Sequence, residues 1–216
     1  MIKKFFIALS AILFSFSIFA AETQTSESVK IEEGKQYIVL AKFPAPEKEV
    51  VEFFSFNCPS CFRLDDELKL GKTIKNRLPE GVTFKKYSLS DFGRLAPELS
   101  EAWAIANVLG IAEDVSIELY NGIQRDGTIK TANDIKGVFA NLGVDNAKYD
   151  SMKNNFLVKA FIAQQEAARK ELEPTSIPSF YVNGKYLINA NGMNSTSSQA
   201  LLDDYSNTIN YLTTLK

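Results

Sequence analysis

The chain has 216 residues, 45% of them apolar and 23% charged, with 24 basic side chains against 26 acidic ones and a formal net charge of −2. That composition excludes a disordered tail, a collagen-like fibre and a small disulfide-stapled scaffold, and nothing strongly basic points to nucleic acid. Histidine is absent, which removes imidazole acid–base chemistry, Ser-His-Asp triads and most zinc sites, so any chemistry is expected at the two cysteines, Cys58 and Cys61.

In chain order, Lys3 and Lys4 precede an apolar run that ends at Ala20-Ala21 before Glu22. A positive start, a short apolar middle and small residues at the end predict a secretory signal peptide over 1–20, cleaved after Ala20 or Ala21. The alternative is a membrane anchor, since the run approaches the lower limit of about 17 residues for a spanning helix. Export places the mature chain in an oxidising compartment, where a cysteine pair can cycle through a disulfide. Residues 22–36 are polar and without periodicity, a loose lead. The run Val50-Val51-Glu52-Phe53-Phe54-Ser55-Phe56 predicts a strand buried on both faces. It meets Asn57-Cys58-Pro59, where a proline suits the first helical position and Leu64 and Leu68 continue a helical spacing. Pro79-Glu80-Gly81 closes that helical region, and 82–88 alternates as a second strand with Val82, Phe84 and Lys86 on one face.

Beyond Asp91 the strand-like runs disappear. Helices are expected over 102–109, ending at Gly110; over 132–142, capped by Thr131; and over a long alanine-rich stretch, 147–172. Strand signals return at 179–182, where Asn183-Gly184 is a hairpin turn into 185–188. Leu201, Leu202, Tyr205, Ile209 and Leu212 then share one face of a final helix. The layout is α/β, with a helical subdomain inserted between the parts of one sheet: 21–90 and 166–216 form the sheet domain, and 91–165 the insertion.

Three readings of Cys58-Pro59-Ser60-Cys61 compete. Zinc needs about four ligands, and only carboxylates could complete the set. A structural staple over so short a loop removes little entropy from the unfolded chain. A redox pair fits the physics best, because a cysteine at a helix N-terminus meets unpaired backbone N–H groups and the positive dipole end, both favouring thiolate. Cys58 is then the exposed nucleophile, and Cys61, one turn in and partly buried, resolves.

The segment Val51 to Cys61 closely resembles the active-site segment of the DsbA family of periplasmic thiol-disulfide oxidoreductases. Gly34-Lys35-Gln36-Tyr37, Leu78-Pro79-Glu80-Gly81-Val82, Ala102-Trp103-Ala104, Ala163-Gln164-Gln165-Glu166 and Phe180-Tyr181-Val182-Asn183-Gly184-Lys185-Tyr186 extend the resemblance over nearly all the mature chain. It implies a thioredoxin-like fold with an inserted helical subdomain. It also implies a cis Ile177-Pro178 bond beside the disulfide, whose neighbouring backbone helps hold the substrate; taken alone, Pro178 would read as an ordinary proline before a strand. Glu52 and Lys86 fall in apolar strand faces, where buried charge is expensive unless paired, so a Glu52-Lys86 pair is expected under the active site. The resemblance assigns these positions to tuning the thiols and moving protons. Otherwise Lys86 snorkels to the surface and Glu52 faces a polar gap. Asp65 matches an acidic family position, although a solvated face shared with Asp66 and Glu67 explains it equally.

Two departures stand out. Ser60 and Ser88 occupy positions where the best-known family members have histidine, so one cationic source of thiolate stabilisation is missing. The function implied is an exported thiol-disulfide oxidase, tuned by Pro59 and Ser60 beside the cysteines and needing no soluble cofactor. It would act as a monomer on reduced exported proteins and be reoxidised by a DsbB-like membrane quinone reductase. The alternatives are a reductase or isomerase of the same fold, and a periplasmic peptide-binding or chaperone module with dispensable cysteines.

Overall fold

A computed structural model of the chain describes residues 30–215, so the leader expected over 1–20 lies outside the described residues. Five strands form one mixed sheet: β1 (Tyr37–Val39), β2 (Glu49–Phe54), β3 (Thr83–Ser88), β4 (Ser179–Val182) and β5 (Tyr186–Ile188), in the order β1-β5-β4-β2-β3. The apolar run becomes β2, parallel to β3 on one side and antiparallel to β4 on the other. Val50 through Phe54 are all buried, as a strand covered on both faces requires. The Asn183-Gly184 turn has both residues at positive φ, 51° and 66°, and the Lys185 N–H closes it on the Val182 carbonyl at 3.1 Å; Val182 pairs with Tyr186, so three residues rather than the expected two separate the paired positions of β4 and β5.

Among the described residues eight α-helices accompany this sheet: α1 (Pro59–Phe62), α2 (Leu70–Arg77), α3 (Ala96–Leu109), α4 (Ala112–Tyr120), α5 (Ala132–Asn141), α6 (Asn146–Met152), α7 (Phe156–Leu172) and α8 (Ser198–Thr214). Val50 and Phe180 face α2 and α8 through Leu70, Ile74, Tyr205 and Ile209. On the opposite face, Val51, Phe53 and Tyr181 meet Leu172 of α7. A third cluster joins Phe54, Phe56 and the cysteines to Trp103, Leu119 and Tyr120 of the helical subdomain. The cysteine turn is therefore anchored in both parts of the fold.

The elements differ from expectation at several places, α3 among them, which begins at Ala96 rather than at 102. The helix expected over 147–172 is two, because the Asn155 side chain accepts the Leu157 N–H at 2.8 Å and starts α7 anew. The helical region after Cys58 is interrupted: α1 passes into a π-helical turn, Arg63–Glu67, and Lys69 at φ 55° separates it from α2. Finally, β1 and α4 lie in stretches that gave no clear periodic signal. The boundary expected at 165/166 falls inside α7. Among the described residues, no helix is long and apolar enough to cross a membrane.

Candidate active site

The turn between β2 and α1 is built by side chains that accept the backbone groups the strand leaves behind. Ser55 Oγ accepts the Asn57 N–H at 3.1 Å and donates to the Phe92 carbonyl at 3.0 Å, and Asn57 donates to the Arg94 carbonyl at 2.9 Å. Cys58 follows as the N-cap of α1, in extended conformation, with Pro59 opening the helix. Its Sγ accepts the Cys61 N–H at 3.2 Å and lies 3.7 Å from the carbonyl of Ile177, whose bond to Pro178 is cis. Both cysteines are free thiols.

Cys58 is less open than expected. It is 4% exposed, against 0% for Cys61, because the Ile177-Pro178 turn covers it. The difference between the two sulfurs is electrostatic more than steric. The Cys61 thiol and the backbone N–H groups of Cys61 and Ser60 stabilise the Cys58 thiolate, and they bring its pKa to about 7 against the opposing effect of burial. Burial, then the neighbouring Cys58, push the Cys61 thiol far upward. One sulfur is thus poised as nucleophile and leaving group, and the other is held protonated one helical turn away. Pro59 and Ser60 are both exposed, and Ser60 contributes through its backbone N–H. Ser88 is buried at the end of β3, where its N–H donates to Gln165 at 2.9 Å and its carbonyl accepts Ser100 Oγ at 3.1 Å.

Beneath the cysteines lies a buried charged cluster. The β2–β3 register sets Glu52 opposite Lys86, and Lys86 Nζ is 3.3 Å from Glu52 Oε1. Lys86 also forms a short ion pair with Asp65, so the reading of Asp65 as part of a solvated face does not hold. Nor does Lys86 snorkel: its side chain is 14% exposed and its ammonium sits 4.4 Å from the Phe54 ring centroid. Burial and the Asp65 carboxylate outweigh Lys86 and raise Glu52 from 4.5 to about 8. Lys86 is pulled downward by burial, but the Asp65 and Glu52 carboxylates prevail and hold it above the ordinary lysine value.

Two residues of this cluster left no sequence signal. Tyr120 donates to Asp65 Oδ2 at 2.9 Å across 55 positions of chain, a contact that only the docking of α4 creates. Gly71 lets α2 approach: a Cβ there would lie 3.3 Å from both Asp65 Oδ1 and Glu52 Oε2.

The model of the DSBA-like thioredoxin domain matches residues 49–205. The chain is similar to the thiol:disulfide interchange protein DsbA of Salmonella typhimurium, 40% identical over 210 residues that span 97% of this chain and 98% of that protein. To DsbA of Escherichia coli K12 it is 38% identical over 215 residues, 99% of this chain and 100% of that one. Among solved structures it is similar to DsbA of Klebsiella pneumoniae, with TM-score 0.80 and 36% identity, covering 86% of this chain and 98% of that one. A Proteus mirabilis DsbA variant with a non-covalently bound peptide, PWATCDS, matches with TM-score 0.80 and 34% identity, covering 86% and 99%. With a redox-poised cysteine pair at the head of α1 on this sheet, and with relatives of this identity along its length, the chain belongs to the DsbA family of thiol-disulfide oxidoreductases.

Proposed function

We propose that the protein is exported, its leader removed after Ala20 or Ala21, and that it donates the Cys58-Cys61 disulfide to reduced exported proteins. A substrate thiolate attacks Cys58 Sγ, the S–S bond breaks, and Cys61 leaves and takes a proton. The substrate is then joined to Cys58 in a mixed disulfide. A second substrate thiolate attacks the substrate sulfur of that bond and Cys58 leaves as thiolate. The substrate thiols have lost two electrons and two protons; the cysteine pair has gained both electrons and the proton on Cys61, and the second proton goes to solvent while Cys58 is a thiolate. The backbone at Ile177-Pro178 holds the substrate chain beside Cys58, where the Ile177 carbonyl lies 3.7 Å from the sulfur. Glu52, Lys86 and Asp65 tune the thiols and move the proton, with Pro59 and Ser60 shaping the helix start. The protein works as a monomer, and a DsbB-like membrane quinone reductase restores the disulfide. The sheet domain, expected over 21–90 and 166–216, carries the cysteines and the cis proline, and the helical subdomain packs against the cysteine turn, with the helix α7 running across the expected boundary.

The supporting observation is the polarity of the pair, with Cys58 lowered to about 7 and Cys61 raised. A reduced form stabilised as thiolate makes its disulfide a better oxidant. The test pairs oxidative refolding of a reduced, denatured protein with insulin reduction, each repeated with Cys58→Ser and Cys61→Ser together. Faster oxidative refolding that is lost in the double variant is expected. Insulin reduction without oxidation would make the protein a reductase, and activity that survives the double variant would make it a peptide-binding module.

A further inference from the structure

The buried cluster holds two carboxyls and a single ammonium, so it is neutral only when one carboxyl carries a proton. Hydrogen-bond donors decide which one. Asp65 Oδ2 takes two, from Lys86 and from Tyr120. Glu52 Oε1 takes Lys86 alone, at the longer distance of 3.3 Å, and Glu52 Oε2 is buried with no partner. Tyr120 ends α4, where the helix passes into the π-helical turn Asn121–Arg125, and it is 1% exposed. Its ring is caged by Phe56 at 4.9 Å and Phe62 at 5.7 Å, so the hydroxyl has a fixed direction. A phenol buried this deeply needs a partner for its O–H, and Asp65 is the partner it has.

We propose that Tyr120 is a positioning residue of the redox site: its hydroxyl pins the Asp65 carboxylate against Lys86 and leaves Glu52 as the carboxyl that holds the exchangeable proton beneath the cysteines. The groups that face this set are Cys58 at the head of α1, Cys61 from α1, Asp65 from the π-helical turn, Glu52 from β2, Lys86 from β3, Tyr120 from α4 and Tyr205 from α8. Tyr120 keeps its own proton throughout, because burial and the Asp65 charge raise it well above 10.0. Asp65, Lys86 and Tyr120 also line a cavity of about 250 Å³ with Phe84 and Trp103, so the set has room for water on the side away from the cysteines.

The experiment follows the carboxyl carbon of Glu52 by NMR against pH in the reduced full-length mature protein labelled with ¹³C-glutamate, the resonance being assigned with Glu52→Gln. Tyr120→Phe keeps the caging ring and removes only the hydroxyl. Losing one donor frees Lys86 to move toward Glu52, so the Glu52 midpoint is expected to fall from about 8 by about one pH unit. In an Asp65→Asn background the same change is expected to move it no further, because Tyr120 acts through Asp65. A midpoint unmoved by Tyr120→Phe overturns the proposal, as does an equal shift in both backgrounds. Fluorotyrosine in the unsubstituted chain strengthens the donor and is expected to move the midpoint upward; a downward shift there is equally fatal. The inference rests on the proposed tuning role for its consequence alone. If Glu52→Gln leaves the pH dependence of the Cys58 reaction unchanged, that role fails while the titration result stands.

Discussion

At the scale of the residue, the chemistry depends on which donors reach Cys58 Sγ. The first is the Cys61 thiol, followed by the backbone N–H groups of Cys61 and Ser60. Serine at position 61 retains a donor and alanine does not. Thiolate absorbance of Cys61→Ser is therefore expected to show a transition near 7, well under the free-cysteine value of about 8.5, with Cys61→Ala titrating higher. Equal midpoints would mean that the helix backbone alone activates Cys58. Ser60 offers a second control, because it is exposed and carries no charge next to the thiolate. Ser60→His would place an imidazolium there. At an exposed position the contact lies toward the low end of about 1.5–3 kcal/mol, and for a two-electron couple that raises the potential by about 30 mV. Equilibration with glutathione reads this shift, and a fall in the Cys58 midpoint should accompany it. A potential that stays level or drops would transfer control to the Ile177 carbonyl.

At the scale of the element, the parallel β2–β3 register brings Glu52 to Lys86, and the π-helical turn delivers Asp65 to the same ammonium. Lys86→Met strips the cation from two buried carboxyls and is expected to cost about 3–5 kcal/mol. Glu52→Gln, which replaces a group already able to be neutral, is expected to cost much less. Adding Glu52→Gln to Lys86→Met should recover part of the loss, as urea unfolding would reveal; strictly additive costs would show that the two side chains do not interact in solution. The Glu52-Lys86 pair was legible from the sequence because Glu52 interrupts a continuous apolar strand and Lys86 falls on the apolar face of an alternating one. Asp65 was ambiguous for a physical reason. Its four-residue spacing from Cys61 suits the cysteine's face of a helix, but its sequence neighbours Asp66 and Glu67 read as solvated, and the Lys86 that pairs with it lies 21 positions away. Asn155 hid in an alanine-rich stretch because one capping side chain outweighs the local helix preference that surrounds it. Tyr120 was invisible, since its partner is set by the docking of α4 rather than by any local spacing. The strand-to-helix turn at Cys58, the presence of a hairpin at Asn183-Gly184 and the final helix, by contrast, rest on short-range patterns and were legible.

At the scale of the whole molecule, the absence of histidine clears the interval between pH 5 and 8, and that makes the buried carboxyl visible in the stability of the fold. In the unfolded chain Glu52 titrates near 4.5, and in the folded protein near 8. Between those values the folded state holds a proton that the unfolded state has lost. Stability from this group is therefore full below pH 4.5, declines as pH rises and levels off above 8. Cys58 acts in the opposite sense: lowered from 9.0 to about 7, it adds stability to the reduced protein as pH rises through that range. Lys86, held above 10.5, contributes a constant stability across this range, lost only at higher pH. Forming the disulfide removes the Cys58 contribution and leaves Glu52 alone. Oxidised protein is thus expected to lose stability between pH 5 and 8 by an amount on the order of a few kcal/mol, read from urea midpoints at a constant m-value. Glu52→Gln is expected to flatten that profile and to unfold at higher urea than the parent above pH 8. The reduced parent should show a shallower decline, because its Cys58 and Glu52 slopes oppose one another where their ranges overlap. An oxidised parent whose stability is level across this interval would place the Glu52 proton in water and take the buried cluster out of the account of the active site.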